Sequence, residues 1–499
     1  MAGLPGSDRR SGGDIRGDRL RTHGPPVHTR LCRPASWRGD PEAMSTAIPP
    51  LDLGWLLMES PGGTTHVGAM LLFKKPPGRS ALVREVVETY RGHRPLPPFN
   101  YVPEIVGVGT PHFREVDSWD PHYHVQHLAL PARSSYEDLL RLVADLHEPM
   151  LDRHRPLFRC WLIDGVPGNR FAIYTKTHHS IIDGVSGLRK LYDGLSLTYE
   201  PSIPAPAFAL PRPKTQPPEP TPALRRVTDA VRGTLAQVGA LNQISLAAAR
   251  KALSAALGSH VEGSLPFVAH HSPTNAPLGQ ARGFATLSLP LEEMHRIGHQ
   301  HGATLNDVAA TIVDHGLHAY LREQGQGYAH EFIAMCPVSL RSEGDAAMGT
   351  RVSAIFVRLG HPAAPVAERL RQVVHSVGTA KTELGALSTD AAMTYSVALV
   401  ALAGAGASTH LDRVTRPACN LVISNVPGAK ETRYLNGAQL TGIFPVSALA
   451  ASIGLNVTLS SYRDHMDFGF VANTAAIGDV HALAEQTRRA YTDLKTALR

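Results

Sequence analysis

Cysteine is scarce in this sequence, and its few copies are far apart. The 499 residues include four cysteines, Cys32, Cys160, Cys336 and Cys419, and no two of them form a C-x-x-C pair. Zinc sites and disulfide frameworks need cysteines grouped at short, regular spacings. The pattern therefore excludes both as an organising feature and is typical of a protein from a reducing compartment.

Long apolar runs and clusters of basic residues are also missing. The longest apolar stretch, YSVALVALAGAGAS at 395–408, is shorter than the roughly 20 residues that span a bilayer and is rich in small side chains. The net charge is +6, but the basic residues are scattered along the chain, so a nucleic-acid partner is not favoured. We expect a cytoplasmic protein that is at most peripheral to the inner face of the plasma membrane or to lipid inclusions.

The composition that is present is that of a globular protein, with 43% hydrophobic and 18% charged residues. Residues 1–43 lack apolar periodicity, which predicts that they are disordered or not translated. Strand-like and helix-like segments alternate from about 64 to 200 and again from 280 onward, which predicts two α/β domains at 44–200 and 271–499. Between them, 201–270 contains a Pro-rich linker and an amphipathic helical segment that packs on the protein or contacts lipid.

The stretch TKTHHSIIDGVSG places two adjacent histidines, His178 and His179, shortly before Asp183. The segment RFAIYTKTHH at 170–179 predicts a strand, in which adjacent side chains, including the two histidines, point to opposite faces. This geometry disfavours a zinc site made from both imidazoles and Asp183. A neutral imidazole in a loop between a strand and a helix can instead accept a proton from an alcohol. A pair of buried, hydrogen-bonded histidines is the structural alternative.

Motifs of several other enzyme classes are missing from the chain. The segment GVSG at 184–187 is not a G-x-S-x-G elbow, so no activated serine nucleophile is indicated. There is no G-x-x-x-x-G-K-[ST] loop and no convincing G-x-G-x-x-G motif, so phosphate and dinucleotide chemistry have no support. A histidine base without a protein nucleophile indicates direct transfer of a group to a bound acceptor.

The HHSIIDG segment and its neighbours resemble the bacterial wax ester synthase/acyl-CoA:diacylglycerol acyltransferase family, of the chloramphenicol-acetyltransferase-like superfamily, whose signature is H-H-x-x-x-D-G. The resemblance covers residues 46–495 and rests on further motifs in the expected order. These are PPLDLGWLLMES and THVGAMLLF (49–73), HVQHLALP (124–131), LDRHRPLFRCWLIDG (151–165), LNDVAATIVDHGLHAYL (305–321), PVSLR (337–341), GTRVS (349–353) and SNVPG (424–428). Phe158 stands where the family usually has Trp, and Thr350 replaces a commoner Asn.

The resemblance implies an α/β fold, an α+β two-layer sandwich, with two chloramphenicol-acetyltransferase-like domains and an active-site channel between them. It implies that His179 is the general base, that His178 is its less essential neighbour, and that Asp183 is structural and bonded to an arginine such as Arg341. The supporting residues of the family motifs are Gly184, Asn306, Asp307 and Arg341. Acyl-CoA is the implied co-substrate, diacylglycerol or a long-chain alcohol the acceptor, and neither a bound cofactor nor a metal is implied.

Two other functions are compatible with the sequence. The first is the same fold acylating another alcohol, such as a polyketide or a glycolipid, because a fold does not settle its substrate. The second is a catalytically silent lipid-binding homologue, against which the intact His-His-Asp-Gly argues.

The pair Asn306-Asp307 also has a purely structural interpretation, since Asx residues at a helix start are common caps.

Overall fold

The computed structural model describes residues 45–105, 110–211, 266–339, 352–389, 391–392, 394–398, 415–449 and 452–499. Residues Met44–Arg499 form one compact unit. Residues 1–43, Arg341, Thr350 and the amphipathic helical segment at 223–258 lie outside the described residues, so the predictions made for them stay predictions.

The histidine pair lies at the end of a strand in a six-stranded sheet, which we call sheet 1. In spatial order its strands are β12 (Tyr434–Leu435), β13 (Ala438–Val446), β2 (His66–Lys74), β7 (Arg170–His178), β6 (Phe158–Val166) and β5 (Val125–Ala129). The central strands β2, β7 and β6 are antiparallel neighbours, and β5 is parallel to β6. Because β12 and β13 come from the C-terminal half of the chain, sheet 1 contains residues from both predicted halves.

A second six-stranded sheet, sheet 2, comes entirely from the C-terminal half. In spatial order its strands are β10 (Val352–Arg358), β9 (Ile333–Ser339), β11 (Leu421–Val426), β14 (Leu455–Tyr462), β15 (His465–Asn473) and β8 (Arg282–Pro290). The strand β11 is parallel to both of its neighbours, and the other pairings are antiparallel. The strands that the sequence predicted after residue 280 are thus present as β8, β9 and β10.

Helices flank the sheets. The structure also contains a small three-stranded sheet, whose strands in spatial order are β1 (Ser45–Ala47), β4 (His112–Glu115) and β3 (Tyr101–Glu104). The helices are α1 (Pro50–Met58), α2 (Leu82–Arg91), α3 (Pro121–His124), α4 (Tyr136–His147), α5 (Gly184–Asp193), α6 (Leu291–Gln300), α7 (Leu305–Glu323), α8 (Val366–Gly385) and α9 (Val480–Ala497). Ser135 and Thr304 form capping boxes before α4 and α7, which satisfies backbone N–H groups that have no partner in the first turn.

Each large sheet has an apolar core. Under sheet 1, Phe73 and Phe171 are buried and stacked with their ring centroids 4.9 Å apart. On sheet 2, α7 and α9 pack against each other, and Ile312 of α7 joins Phe468 and Phe470 of β15 in one buried cluster. The mixed α/β class that the alternating sequence pattern predicted is confirmed.

Asp467, which is fully buried, joins the two sheets. Its Oδ2 accepts the backbone N–H of Ile443 on β13 at 2.8 Å, and its Oδ1 accepts the Ser288 hydroxyl on β8 at 2.5 Å. Farther along β15, a Cβ on Gly469 would lie 1.8 Å from Pro445 O, so only glycine permits this close approach. The strand β13 of sheet 1 is therefore held directly against β15 of sheet 2.

Candidate active site

The strand β7 ends at His178, and the chain then turns into α5. This helix begins at Gly184, and Asp183 is its N-cap, because Asp183 Oδ1 accepts the backbone N–H of Ser186 at 2.8 Å. The sequence predicted a strand, a turn and a helix in this order, and the structure confirms that order. The predicted strand was one residue too long, since His179 belongs to the turn.

His178 is fully buried, and both of its ring nitrogens have partners. Nδ1 accepts the backbone N–H of Ser180 at 3.1 Å. A neutral imidazole whose Nδ1 is an acceptor carries its hydrogen on Nε2, and Nε2 lies 3.0 Å from Thr65 Oγ1. His178 therefore donates a hydrogen bond to Thr65, and both of its nitrogens are engaged within the protein.

His179 is partly exposed, unlike His178. Its backbone N–H donates to Thr65 O at 3.0 Å, and its ring stacks on the indole of Trp55 with centroids 4.4 Å apart and planes inclined by 22°. Its Nδ1 is buried and forms no hydrogen bond with another described residue. Burial lowers the pKa of His179 below its ordinary value, although its own backbone and the Asp183 carboxylate act in the opposite direction. The ring is therefore neutral at pH 7.

The buried side chain of Glu59 forms a cluster with Arg153, which is partly exposed, and two histidines. Its Oε1 lies 2.8 Å from His66 Nε2, and its Oε2 lies 3.0 Å from Arg153 Nη2 and 3.6 Å from His178 Nε2. Burial opposes ionisation of Glu59, but its polar contacts with His178 and His66 outweigh burial and hold the pKa of Glu59 well below its ordinary value. Burial lowers the pKa of His66 to about 4, against the effect of Glu59. At neutral pH the cluster thus contains a carboxylate, a charged Arg153 and a neutral His66.

Lys176, on β7, is a buried amine near the histidines. Its Nζ donates to Leu146 O at 3.1 Å and to Pro149 O, and burial lowers the pKa of Lys176 to about 7. Leu146 lies in the last turn of α4, where backbone carbonyls lack helical partners. Lys176 therefore satisfies the end of α4 and holds the loop that carries Arg153 towards Glu59.

The sequence did not identify Trp55, Glu59, Thr65 or Arg153 as parts of the site. Glu59 and Arg153 are 94 positions apart, and Thr65 and His178 are 113 positions apart. No local pattern connects residues at such separations. Trp55, Glu59 and Thr65 do lie within the opening motif of the family resemblance, but the motif assigns them no role.

Two of the predicted motifs meet at the start of α7. Asn425, in the SNVPG segment, donates through Nδ2 to Asn306 Oδ1 at 2.7 Å. Asp307 Oδ2 accepts the backbone N–H of Thr304 at 2.7 Å and its hydroxyl at 2.8 Å. Asp307 is therefore a helix cap, the structural alternative considered for this pair, while Asn306 connects α7 to β11.

The SNVPG segment also contacts α5. A Cβ on Gly184 would lie 3.6 Å from Val426 Cγ2, which is an ordinary contact distance. A Cβ on Gly428 would lie 1.8 Å from Ser461 O and 2.7 Å from the Tyr192 hydroxyl, so no side chain fits at this position. The segments HHSIIDG, LNDV and SNVPG thus come together at one place, where α5 of the first half meets β11 of sheet 2.

Phe158, the residue that replaces the usual Trp, lies in a buried aromatic cluster. Its ring stacks on His124 at 4.7 Å and on Phe208 at 5.0 Å between centroids, and Phe99 contacts it edge-on at 5.6 Å. His124 Nδ1 lies 2.7 Å from Phe158 O, and burial lowers the pKa of His124 to about 4. In this structure Phe158 is a core residue.

Within the described ranges, no three His, Cys, Asp or Glu side chains are grouped so that they could hold a metal ion. None of the helices described is both long and apolar enough to cross a membrane. The cysteines in these ranges, Cys160, Cys336 and Cys419, are free thiols, and burial raises the pKa of each to about 12. Such thiols are poor nucleophiles at neutral pH.

The sequence matches two family models and a set of curated relatives. Residues 48–309 match the wax ester synthase/diacylglycerol acyltransferase catalytic domain, and 348–495 match the WS/DGAT C-terminal domain. A protein of Mycobacterium tuberculosis named probable diacylglycerol O-acyltransferase Tgs4 is 31% identical over 473 residues, which cover 90% of this chain and 97% of that protein.

The fold matches solved structures of the same architecture. The wax ester synthase/diacylglycerol acyltransferase from Marinobacter aquaeolei has a TM-score of 0.69 and 27% sequence identity, over 91% of this chain and 100% of that chain. A starter condensation domain of rhizomide synthetase, with a TM-score of 0.53 and 15% identity over 91% of this chain and 94% of that chain, shares the fold alone. These matches confirm the predicted fold class. The chain belongs to the wax ester synthase/diacylglycerol acyltransferase family of acyltransferases.

Proposed function

We propose that this protein transfers a long-chain fatty acyl group from acyl-CoA to the hydroxyl of diacylglycerol and so forms triacylglycerol. Long-chain alcohols are the second class of acceptor and give wax esters. Family membership and the name of the Mycobacterium tuberculosis relative support this choice of acceptors. The observation that carries the mechanism is His179, a neutral and partly exposed imidazole in the turn between β7 and α5.

His179 is the general base of the proposed reaction. Because burial keeps the pKa of His179 below the ordinary value of about 6.5, its ring is free to accept a proton at neutral pH. Nδ1 is buried, so Nε2 is the nitrogen that we expect to meet the substrate hydroxyl. His178 does not share this role, since Ser180 and Thr65 occupy its two nitrogens.

The proposed chemistry is a direct transfer without an acyl-enzyme. His179 takes the proton of the alcohol while the alcohol oxygen attacks the thioester carbonyl carbon and forms the new C–O bond. The tetrahedral intermediate then collapses, the C–S bond breaks, and the leaving thiolate of coenzyme A takes the proton back from the imidazolium. The products are the ester and free coenzyme A, and His179 is neutral again.

The other motif residues are proposed to hold the site in place. Asp183 caps α5, and its carboxylate favours the protonated form of His179, which stabilises the imidazolium that forms during the reaction. Asn306 fixes α7 against β11, Asp307 caps α7, and Gly184 starts α5 beside that strand. The predicted bond between Asp183 and Arg341 stays a prediction.

The function is tested by the release of free coenzyme A from palmitoyl-CoA, with diacylglycerol, hexadecanol or no acceptor present. The His179→Ala variant removes the proposed base, and His127→Ala removes an exposed imidazole on β5 as a matched control. We expect acceptor-dependent release by the wild type and the control, and a loss of about 100-fold or more in His179→Ala.

Either of two results would overturn this assignment. If folded His179→Ala keeps most of the wild-type rate, His179 is not the base. If the folded wild type releases no coenzyme A in the presence of diacylglycerol or of hexadecanol, the acceptor is another alcohol or the protein is a silent lipid-binding homologue. Because both proposed acceptors reside in lipid, we also propose peripheral association with membranes or lipid inclusions, which co-sedimentation with diacylglycerol-containing vesicles would test.

A further inference from the structure

The imidazole of His179 packs on a large flat surface, the indole of Trp55. The two rings are stacked with centroids 4.4 Å apart and planes inclined by 22°. His179 lies beyond the end of β7, so strand pairing does not fix its side chain. We propose that Trp55 is a positioning residue that holds the imidazole plane of His179 in the orientation needed for proton transfer.

Thr65 holds both members of this stack. Its backbone carbonyl accepts the N–H of His179 at 3.0 Å, and its hydroxyl donates to the backbone carbonyl of Trp55 at 3.1 Å. The same hydroxyl lies 3.0 Å from His178 Nε2, which carries a hydrogen and donates to it. The base, its stacking partner and the adjacent histidine are therefore connected through Thr65, which is buried.

This arrangement gives His178 a role that differs from acid–base chemistry. His178 Nδ1 is fixed by the backbone of Ser180, so its Nε2–H points at the Thr65 hydroxyl. That hydroxyl accepts the hydrogen of His178 and donates its own to Trp55 O at 3.1 Å. His178 thus acts through Thr65 and Trp55 on the orientation of His179.

Orientation of the base matters because proton transfer requires a short, well-aligned contact. A misplacement of about 1 Å at a reacting group can cost roughly 100-fold in rate. A flat stacking surface restricts rotation of the imidazole about its terminal torsion, for which the intrinsic preference is broad. The inference depends on the proposed role of His179 as the base.

The test compares Trp55→Phe, which keeps a flat ring, with Trp55→Ala, which removes it. We expect kcat with palmitoyl-CoA and diacylglycerol to fall about 10- to 100-fold in Trp55→Ala, with KM for palmitoyl-CoA within about threefold of the wild type. Trp55→Phe should keep kcat within about threefold. Trp119→Ala is the matched control, because Trp119 is also a half-buried indole beside a histidine, His124, and we expect it to retain the wild-type kcat.

A second pair of variants tests the connection through Thr65. Thr65→Val keeps the shape but removes the hydroxyl, while Thr65→Ser keeps the hydroxyl. We expect kcat to fall about 3- to 30-fold in Thr65→Val and to stay near the wild-type value in Thr65→Ser. If Trp55→Ala does not fold, this pair and Trp55→Phe decide the question.

The inference is overturned if folded Trp55→Ala and Thr65→Val both keep kcat within twofold of the wild type. It is also overturned if Trp55→Phe is as slow as Trp55→Ala, since the indole N–H rather than the stacked ring would then be needed. His179→Ala measured alongside separates the two proposals. A slow His179→Ala with a fast Trp55→Ala rejects only the role of Trp55, and a fast His179→Ala rejects the proposed base itself.

Discussion

Arg153 Nη2 lies 3.0 Å from Glu59 Oε2, in a place where the Glu59 side chain is fully buried. The other carboxylate oxygen of Glu59 lies 2.8 Å from His66 Nε2. A buried carboxylate is tolerated only while such partners remain, because an unpaired buried charge is costly. The cluster around Glu59, which includes His178, thus brings together residues from the end of α1, from β2 and from the loop after α4.

Replacement of this carboxylate should destabilise the protein. Glu59→Gln keeps the size of the side chain but removes the charge that pairs with Arg153. A carboxylate accepts hydrogen bonds at both oxygens, whereas the amide of glutamine has one accepting oxygen and an NH2 group that only donates. We expect the free energy of unfolding to fall by about 1.5–3 kcal/mol, the range for hydrogen bonds to charged groups. Urea unfolding followed by circular dichroism measures it.

The control for this prediction is Glu88→Gln. Glu88 also pairs with an arginine, Arg91, at 3.2 Å, but its side chain is 65% exposed. Exposed ion pairs contribute little, so we expect a change below about 0.5 kcal/mol. Equal losses in the two variants would contradict the importance of burial at Glu59.

The rate of the reaction should depend on pH through His179. Burial lowers the pKa of His179, and a general base must be unprotonated, so kcat/KM should be at its plateau at pH 7. It should fall only as the pH drops through the lowered pKa, below the ordinary value of about 6.5. A pH profile of kcat/KM with palmitoyl-CoA measures this limb. A half-maximal point at or above pH 6.5 would contradict a base whose pKa is lowered by its surroundings.

The sequence predicted the local structure around the site because that information is local. The alternation before His178, the turn and the cap at Asp183 all depend on residues within a few positions of one another. Asp307 was likewise recognisable as a possible capping residue from its place in the first turn of an apolar helix. In each case a short pattern fixes a short element.

The tertiary parts of the site were not predictable in this way. The cluster around Glu59 and the contact between Asn306 and Asn425 join positions 94 and 119 residues apart, and no periodicity encodes which distant partners meet. The entry of β13 into sheet 1 has the same cause, since its pairing with β2 depends on how the two sheets pack. The resemblance to a family supplied the positions, but not these contacts.

Stability should decrease in mildly acidic solution because of buried neutral histidines. Burial lowers the pKa of both His66 and His124 to about 4, whereas in the unfolded chain each has the ordinary value of about 6.5. Between these values the unfolded chain binds protons that the folded chain does not. The free energy of unfolding should therefore fall as the pH is lowered from 6.5 towards 4, by about 1.4 kcal/mol per pH unit for each such histidine.

Urea unfolding between pH 7 and pH 5 measures how the free energy of unfolding depends on pH. A single substitution at His124 shows how much of this dependence comes from that histidine. His124→Asn keeps a donor for Phe158 O, to which His124 Nδ1 is bonded at 2.7 Å, but removes the titrating group. We expect a shallower slope in this variant. His127→Asn, at an exposed position on β5, should leave the slope unchanged, and identical slopes in all three proteins would reject the assignment.

Glycine at position 428 should be required for folding, because the SNVPG segment approaches its neighbours too closely for any side chain. In Gly428→Ala the added Cβ would lie 1.8 Å from Ser461 O, a backbone atom of β14 that cannot move without disturbing sheet 2. We expect a loss of at least about 3 kcal/mol in the free energy of unfolding, or failure to fold. Gly478→Ala is the matched control, since a Cβ there meets no atom within 4 Å and the residue is exposed. If thermal unfolding showed the same Tm for both variants, the close packing of SNVPG against β14 and α5 would be wrong, and with it the placement of this segment beside the histidine pair.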